Sequence, residues 1–285
     1  MRFLQISLLF LSISAFSQNN FTTPFERGNG NQSTTYEECI AFYEKLDESF
    51  ANIQMIQKGT TDSGKPLHLV LFSSEGKFDF DEYFTKNKAV ILINNGIHAG
   101  EPDGIDATMM LMRDLAMGKI KTAKNTLIAA IPVYSVGGML NRNSHSRANQ
   151  NGPEEYGFRG NARNYDLNRD FIKSDTKNSR SFQKLFTELN PDIFLDNHVS
   201  NGADYQYTFT CIATQHERLG NKLGNYFINE LYPSVVKDMN KKKIDVVPYV
   251  NVHSTTPDKG FEQFTDTPRY ATGYSTLFHT LGFVP

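Results

Sequence analysis

The stretch that determines the fold is AVILINNGIHAGEPDG, residues 89–104. Its first five residues are aliphatic without polar alternation, which is typical of a strand buried on both faces. Asparagine and glycine then supply turn chemistry, and the turn carries His98 and Glu101. Imidazole and carboxylate are common zinc ligands, and a tight glycine-containing loop can direct both at one ion. The alternative interpretation is an ordinary loop histidine beside a solvated glutamate.

A second apolar run, PDIFLDNH at residues 191–198, repeats this arrangement because it ends in His198. Elsewhere the periodicity predicts strands and helices in alternation: strands at 53–58, 66–72, 126–133, 205–212 and 246–252, and helices at 36–50, 105–117, 179–189, 216–232 and 271–280. This order predicts an α/β fold with a central mixed, mostly parallel β-sheet and helices on both faces.

Ligand sites in such sheets gather at the carboxyl ends of strands. Because His98, Glu101 and His198 all follow apolar strands, the sequence favours one zinc ion per chain with an open fourth position. Asp196, two residues before His198, has two interpretations: it orients a ligand histidine, or it faces water at the strand end. The polar segment 141–160 has little to bury, and a segment of this length inside a domain is usually functional or disordered.

Composition describes a soluble globular chain of 285 residues with a net charge of −2, which does not indicate nucleic acid or an anionic membrane as a partner. The N-terminus predicts a signal peptide at 1–17, with a short positive start, an apolar run and small residues before the cleavage site. We therefore expect secretion or export to the periplasm, with no membrane span. An irregular leader is predicted at 18–35. In an oxidising compartment Cys39 and Cys211 could pair.

Three segments carry a resemblance to a known family: HAGE at 98–101, FRGNARNYDLNRDF at 158–171 and DNHVSNGADYQYT at 196–208. Together they resemble the zinc metallocarboxypeptidases of the carboxypeptidase A/B type. The resemblance covers a predicted catalytic domain at 36–285. It implies the carboxypeptidase-like α/β architecture and hydrolysis of the C-terminal peptide bond of peptides or proteins by zinc-activated water.

The resemblance also implies roles for individual residues. His98, Glu101 and His198 would bind zinc, Asn168 and Arg169 would bind the substrate's terminal carboxylate, and Arg159 would stabilise the oxyanion. A planar guanidinium suits both tasks, because it can bind a carboxylate through two parallel hydrogen bonds. The alternative for Asn168 and Arg169 is a loop pair bridged to Asp166 or Asp170.

Two departures from the family pattern bear on activity. Gly100 stands where the family often has an arginine, so one substrate contact is in question. The family's general base is a glutamate on a strand near the C-terminus. Here the corresponding strand begins at 281–285 and the sequence ends before a glutamate, with Glu262 the last one. Three interpretations follow: a C-terminally incomplete chain, which we favour, a protein that has lost hydrolysis, or substitution by Glu262.

The family's mobile tyrosine has three candidates here, Tyr249, Tyr270 and Tyr274, and no motif selects among them. Two other functions remain open beside the carboxypeptidase. One is a catalytically inactive homologue that binds zinc and peptides. The other is a zinc amidase acting on cell-wall peptides, for which Arg169 would be dispensable.

Overall fold

The computed structural model describes residues 21–86, 88–200, 205–254 and 256–285. The predicted signal peptide, 1–17, lies outside the described residues. The predicted leader is described from Phe21 onward, and it is not irregular throughout. It contains helix α1 (Pro24–Arg27), which a capping box between Thr23 and Glu26 begins. The ring of Phe21 is buried, so this segment packs on the rest of the chain.

Most strands lie close to their predicted positions, but the one predicted from Tyr205 begins at Phe209, and a strand at Phe261–Gln263 was not predicted. The strands are β1 (Ile53–Thr60), β2 (Pro66–Ser73), β3 (Ala89–Asn94), β4 (Thr126–Ile131), β5 (Ile193–Asp196), β6 (Phe209–Ala213), β7 (Val246–Pro248), β8 (Val250–Val252), β9 (Phe261–Gln263) and β10 (Leu281–Val284). Among the described residues, eight of them form one mixed, mostly parallel sheet in the order β1-β2-β4-β3-β5-β10-β6-β7, and β8 pairs with β9 separately.

The remaining α-helices are distributed along the chain among the strands. They are α2 (Tyr36–Ser49), α3 (Phe80–Thr85), α4 (Asp103–Ala116), α5 (Val136–Leu140), α6 (Lys177–Leu189), α7 (Gly220–Tyr226), α8 (Tyr232–Lys241) and α9 (Ala271–Ser275). Within the described ranges, none of the helices combines the length and apolar character that crossing a bilayer requires.

Helices cover both faces of the sheet, as predicted. On one face, α2 and α4 bury Tyr43 and Met109 against the strands. On the other, Phe182 and Phe186 of α6 pack on Phe194 of β5, with ring centroids 5.4–5.7 Å apart. Apolar side chains on both faces explain why the central strands read as uninterrupted aliphatic runs. The α/β prediction is confirmed.

Several predicted boundaries were wrong in their details. The predicted strand 246–252 divides after Pro248, because β7 pairs with β6 whereas β8 pairs with β9. The predicted helix 216–232 divides near Gly220, whose φ of +73° interrupts it. Cys39 and Cys211, both within the described part of the chain, are free thiols and buried, so the pairing considered above does not form.

Candidate functional site

Two parallel strands bring the predicted zinc ligands together. β3 and β5 are neighbours in the sheet, so their carboxyl ends lie at one edge. After β3 the chain turns at Gly96, whose φ of +63° favours glycine, and this turn presents His98 and Glu101. β5 ends at Asp196, and His198 follows two residues later. The order of strands therefore brings together ligands that lie about 100 positions apart in the sequence.

The three side chains form a compact donor set. His98 Nδ1 lies 3.0 Å from Glu101 Oε1, and His198 Nδ1 lies 3.0 Å from Glu101 Oε2. One ligand atom from each residue lies within 4.8 Å of the others. The side chains of His98, Glu101 and His198 are 2%, 3% and 12% exposed. Zinc takes such nitrogen and oxygen donors at about 2.0–2.2 Å, so the set fits one zinc ion.

A carboxylate holds the outer nitrogen of each histidine. His98 Nε2 lies 2.9 Å from Asp166 Oδ1, and His198 Nε2 lies 3.0 Å from Asp196 Oδ2. Such partners favour a proton on the outer nitrogen and leave the inner nitrogen free to bind a metal. Asp196 is fully buried and also accepts a hydrogen bond from Asn94, so the interpretation that it faces water is wrong.

The electrostatics of this cluster depend on burial and on charge pairing. Burial alone would raise the pKa of Glu101, but hydrogen bonds with His198 and His98 outweigh it and hold that pKa well below its usual range. For His198, burial lowers the pKa, whereas Asp196 and Glu101 raise it, with a net result of about 10. Histidine binds a metal as the neutral imidazole, so metal binding at this site competes with protonation of His198 and strengthens as the pH rises.

Arg159 lies at the edge of the donor set. Its Nη2 donates to Asp166 Oδ2 at 2.8 Å, and its Nη1 lies 3.9 Å from Glu101 Oε1. The side chain is 39% exposed, so a substrate can reach the guanidinium. Burial alone would raise the pKa of Asp166. The contact with His98 outweighs burial and lowers that pKa, and Arg159 lowers it further. Asp166 therefore links Arg159 to His98.

Arg169 and Asn168 lie on a 3-10 turn, Leu167–Arg169, beside the same cavity. The Arg169 guanidinium stacks on the Tyr270 ring, 4.8 Å from its centroid, and Nη1 donates to the backbone oxygen of Asn168. Among the described residues, Asn168 Oδ1 is buried and has no hydrogen-bond partner. The carboxylate of Asp166 pairs with His98 and Arg159, while Asp170 accepts from Thr176. The alternative interpretation therefore fails for Arg169, which forms no ion pair with either aspartate among the described residues, although the backbone N–H of Asn168 donates to Asp166 Oδ1 at 3.0 Å.

The cavity that contains these groups has a volume of about 670 Å³. Its carboxylates are Glu101, Asp103 and Asp266, counted over the described residues that line it. The cavity lining is also rich in aromatic side chains, among them Tyr205, Tyr207, Tyr249, Phe264 and Tyr270. The combination of a metal donor set, guanidinium groups and an aromatic wall suits a peptide substrate.

The remaining predicted residues divide between the cavity and the rest of the molecule. Glu262 lies on β9, is exposed, and is not among the described residues that line the cavity. Tyr249 and Tyr270 line the cavity, so both stay candidates for a tyrosine over the substrate. Tyr274 is buried in the core against Phe171 and Phe186, and its candidacy was wrong because core packing fixes the ring.

Sequence reasoning gave no site role to three residues that the structure brings to this region. Asp166 contacts His98, Arg147 Nη2 lies 2.8 Å from Glu101 Oε1, and Asp266 lines the cavity as a buried carboxylate. Burial raises the pKa of Asp266 to about 6, against hydrogen bonds from Thr272 and Gly273 that lower it. The one sequence signal was the location of Arg147 in a long polar segment.

The chain thus combines an α/β sheet flanked by helices with a His-Glu-His donor set that fits one zinc ion. A profile of the zinc carboxypeptidase family matches residues 39–256. The chain therefore belongs to the zinc carboxypeptidase family.

The chain is also similar to individual proteins in sequence and in fold. The chain is 28% identical over 117 residues to "Probable carboxypeptidase 2" of Arthroderma benhamiae, covering 40% of this chain and 19% of that protein. Carboxypeptidase A of Helicoverpa armigera superposes with a TM-score of 0.62 at 14% identity, covering 89% of this chain and 64% of that one. The metallo-carboxypeptidase of Burkholderia cenocepacia gives 0.60 at 14% identity, covering 88% and 60%. The chain thus spans about a fifth of the first relative and less than two thirds of these two structures.

Proposed function

We propose that this protein is a secreted zinc-dependent carboxypeptidase that hydrolyses the C-terminal peptide bond of peptides or proteins. One observation supports this best: the donor set of His98, Glu101 and His198 shares a cavity with Arg159 and Arg169. A metal site alone would suit many hydrolases. Guanidinium groups beside it suit a substrate that ends in a free carboxylate.

The proposed roles follow from position. Arg169, whose guanidinium lies over the Tyr270 ring, presents its donors to the terminal carboxylate, and Asn168 lies next to it. Arg159 lines the same cavity with its Nη1 3.9 Å from Glu101 Oε1, where it can donate to the oxygen of the scissile carbonyl as negative charge develops. A zinc ion, when bound, would polarise this carbonyl and lower the pKa of a bound water to about 7. His98 and His198 stay oriented through Asp166 and Asp196.

A second candidate function is supported by the carboxylates of the cavity. Glu101 is the one glutamate among the described lining residues, and it belongs to the donor set. A site of this composition can bind zinc and a peptide terminus without hydrolysing the peptide. The alternative to the carboxypeptidase is therefore a homologue that binds zinc and peptides without turnover.

The test combines metal analysis with peptide assays on the full chain. We expect one zinc per chain in the wild type and its loss in His98→Ala and His198→Ala. We expect hydrolysis of a peptide with a free C-terminus, no hydrolysis of its C-terminal amide, and a raised KM in Arg169→Ala. Arg180→Ala, on the exposed side of α6, serves as the matched control.

The outcomes separate the candidates. A zinc-free wild type after zinc-replete expression contradicts every version of the proposal. Peptide binding without turnover supports the non-hydrolysing homologue. Unchanged activity in Arg169→Ala supports an amidase that ignores the terminal carboxylate.

Export is a separate part of the proposal, and residues 1–17 support it. Expression of the full chain in a secreting host, followed by N-terminal sequencing, tests it. We expect a mature protein beginning at Gln18 in the periplasm or medium. A cellular protein that retains Met1–Ser17 would contradict export.

A further inference from the structure

A second arginine reaches the donor set from the polar segment 141–160. Arg147 Nη2 lies 2.8 Å from Glu101 Oε1, which is closer than the 3.9 Å of Arg159 Nη1. The Arg147 side chain is 11% exposed and Glu101 is 3% exposed, so this ion pair is formed away from bulk water. A buried ion pair of this kind needs its geometry to be fixed, because desolvating both charges is costly.

Gly100 provides the space through which Arg147 reaches Glu101. A Cβ atom at Gly100 would lie 3.2 Å from Arg147 Cγ and 3.3 Å from Cδ, and 2.7 Å from the carbonyl oxygen of Gly157. The aliphatic part of Arg147 therefore crosses directly over the backbone of the metal-binding loop. A side chain at position 100 would clash with the Gly157 carbonyl oxygen and crowd the aliphatic part of Arg147.

Gln150 ties Arg147 to the same loop. Arg147 Nε donates to Gln150 Oε1 at 2.6 Å, and Gln150 Nε2 donates to the carbonyl oxygen of Gly100 at 2.9 Å. The backbone N–H of Arg147 also donates to the Tyr156 hydroxyl at 3.2 Å. The guanidinium is thus held by its own backbone, by a neighbouring amide and by the carboxylate that it contacts.

These contacts divide the two oxygens of Glu101 between fixed partners. Oε1 faces Arg147 and His98, while Oε2 faces His198 and the backbone N–H of Val199 at 3.1 Å. Arg147 is not among the described residues that line the cavity, so its contact with Glu101 is made outside the space open to a substrate. Carboxylates that bind metals are commonly oriented by such outer hydrogen bonds.

We propose that Arg147 is a positioning residue that fixes the Glu101 carboxylate for metal binding, an inference that rests on the proposed zinc site. Gly100 and Gln150 are the parts of the loop that make this contact possible. The polar segment 141–160 thereby becomes part of the metal site, although none of its residues is a ligand.

The test measures zinc affinity by competition with a chelator of known affinity. Arg147→Met removes the guanidinium but keeps a long aliphatic chain over Gly100, and we expect zinc affinity to fall about 10- to 100-fold. Arg147→Lys keeps the charge with a single donor group, and we expect its zinc affinity to lie between those of the wild type and Arg147→Met. In the cobalt-substituted protein, the visible absorption bands should shift in Arg147→Met, because the carboxylate can rotate relative to the metal.

Arg142→Met is the matched control. Arg142 lies in the same segment, and its guanidinium donates to the backbone oxygens of Thr34, Ser33 and Glu155, away from the donor set. We expect Arg142→Met to lower thermal stability without changing zinc affinity or the cobalt spectrum. Unchanged or tighter zinc binding in Arg147→Met, in a folded protein, would overturn the inference. A wild type that binds no zinc would overturn the proposed function instead.

Discussion

The two sides of the cavity stand on different kinds of strand. The metal side stands on β3 and β5, which have a strand on each edge and helices on both faces. The aromatic side, which includes Tyr205, Tyr249 and Phe264, adjoins β6, β7 and the β8–β9 pair in sequence, where residues are mostly half-buried or exposed. Regions with fewer buried contacts open at lower free energy. The metal side is therefore fixed by the core, whereas the aromatic side depends on contacts near the surface.

The largest expected effect comes from breaking the metal side in its core. Phe194 of β5 is fully buried between Phe182 and Phe186, so Phe194→Ala leaves a cavity and costs about 3–5 kcal/mol of unfolding free energy. Denaturant unfolding measures this loss. Phe261→Ala on exposed β9 is the control, with a change within about 0.5 kcal/mol. Equal losses in the two variants would show that the two sides do not differ.

The metal side also carries a buried acid, Asp106, that lowers the stability of the folded protein at neutral pH. Asp106 of α4 is buried, and burial raises its pKa to about 7, against a hydrogen bond from the backbone N–H of Thr34 that lowers it. In the unfolded chain its pKa is about 3.9. The folded protein binds this proton more tightly than the unfolded chain does. The stability that protonated Asp106 contributes is therefore fully present below about pH 4 and is lost as the pH rises toward 7.

Asp106→Asn removes this dependence, because the amide oxygen still accepts from Thr34 and no charge is buried. At about 1.4 kcal/mol for each pKa unit, we expect the variant to be more stable than the wild type by about 2–4 kcal/mol at pH 8. At pH 4 the two proteins should unfold at similar denaturant concentrations, which provides the internal control. A stability difference that does not vary between these pH values would refute the assignment.

The same contrast explains what could be predicted from the sequence. His98, Glu101 and His198 were found because each follows a run of apolar residues, and buried parallel strands produce such runs locally. Asn168, Arg169 and Arg159 were found through the family resemblance. The strands of the aromatic side were harder to delimit, because a half-exposed strand has a weaker hydrophobic pattern.

Contacts between distant residues explain what sequence reasoning missed. Asp166 contacts His98 across 68 positions, and Arg147 meets Glu101 only because the segment 141–160 folds back over Gly100. Neither contact produces a pattern in the local sequence from which it could be predicted. Asp196 was found as a candidate because it lies two residues from His198, but only its burial and its bond to Asn94 decided its role.

A smaller effect is expected from a change that tests whether the hydrogen bond with Asp196, or packing alone, orients the His198 ring. In Asp196→Asn, the amide can place N–H groups against His198 Nε2 and so favour a proton on Nδ1, the nitrogen that would bind zinc. We expect zinc affinity to fall about 10- to 100-fold, measured by chelator competition. Asp258→Asn, an exposed aspartate outside the cavity lining, is the control. Wild-type affinity in Asp196→Asn would mean that packing alone orients His198.

The smallest expected effect lies on the aromatic side. The Tyr205 hydroxyl donates to the carbonyl oxygen of Val250 at 2.8 Å and so links the cavity wall to β8. Tyr205→Phe removes this hydrogen bond, and we expect a loss of about 0.5–1.5 kcal/mol in unfolding free energy. Because the metal side is held by the core, zinc affinity should be unchanged, while the Kd of a peptide with a free C-terminus should rise a few-fold. Tyr207→Phe, at an exposed position of the same wall, separates the lost hydrogen bond from a general effect on the wall. A fall in zinc affinity in Tyr205→Phe would show that the two sides are coupled, because a contact near the surface would then determine the geometry of ligands held by buried strands.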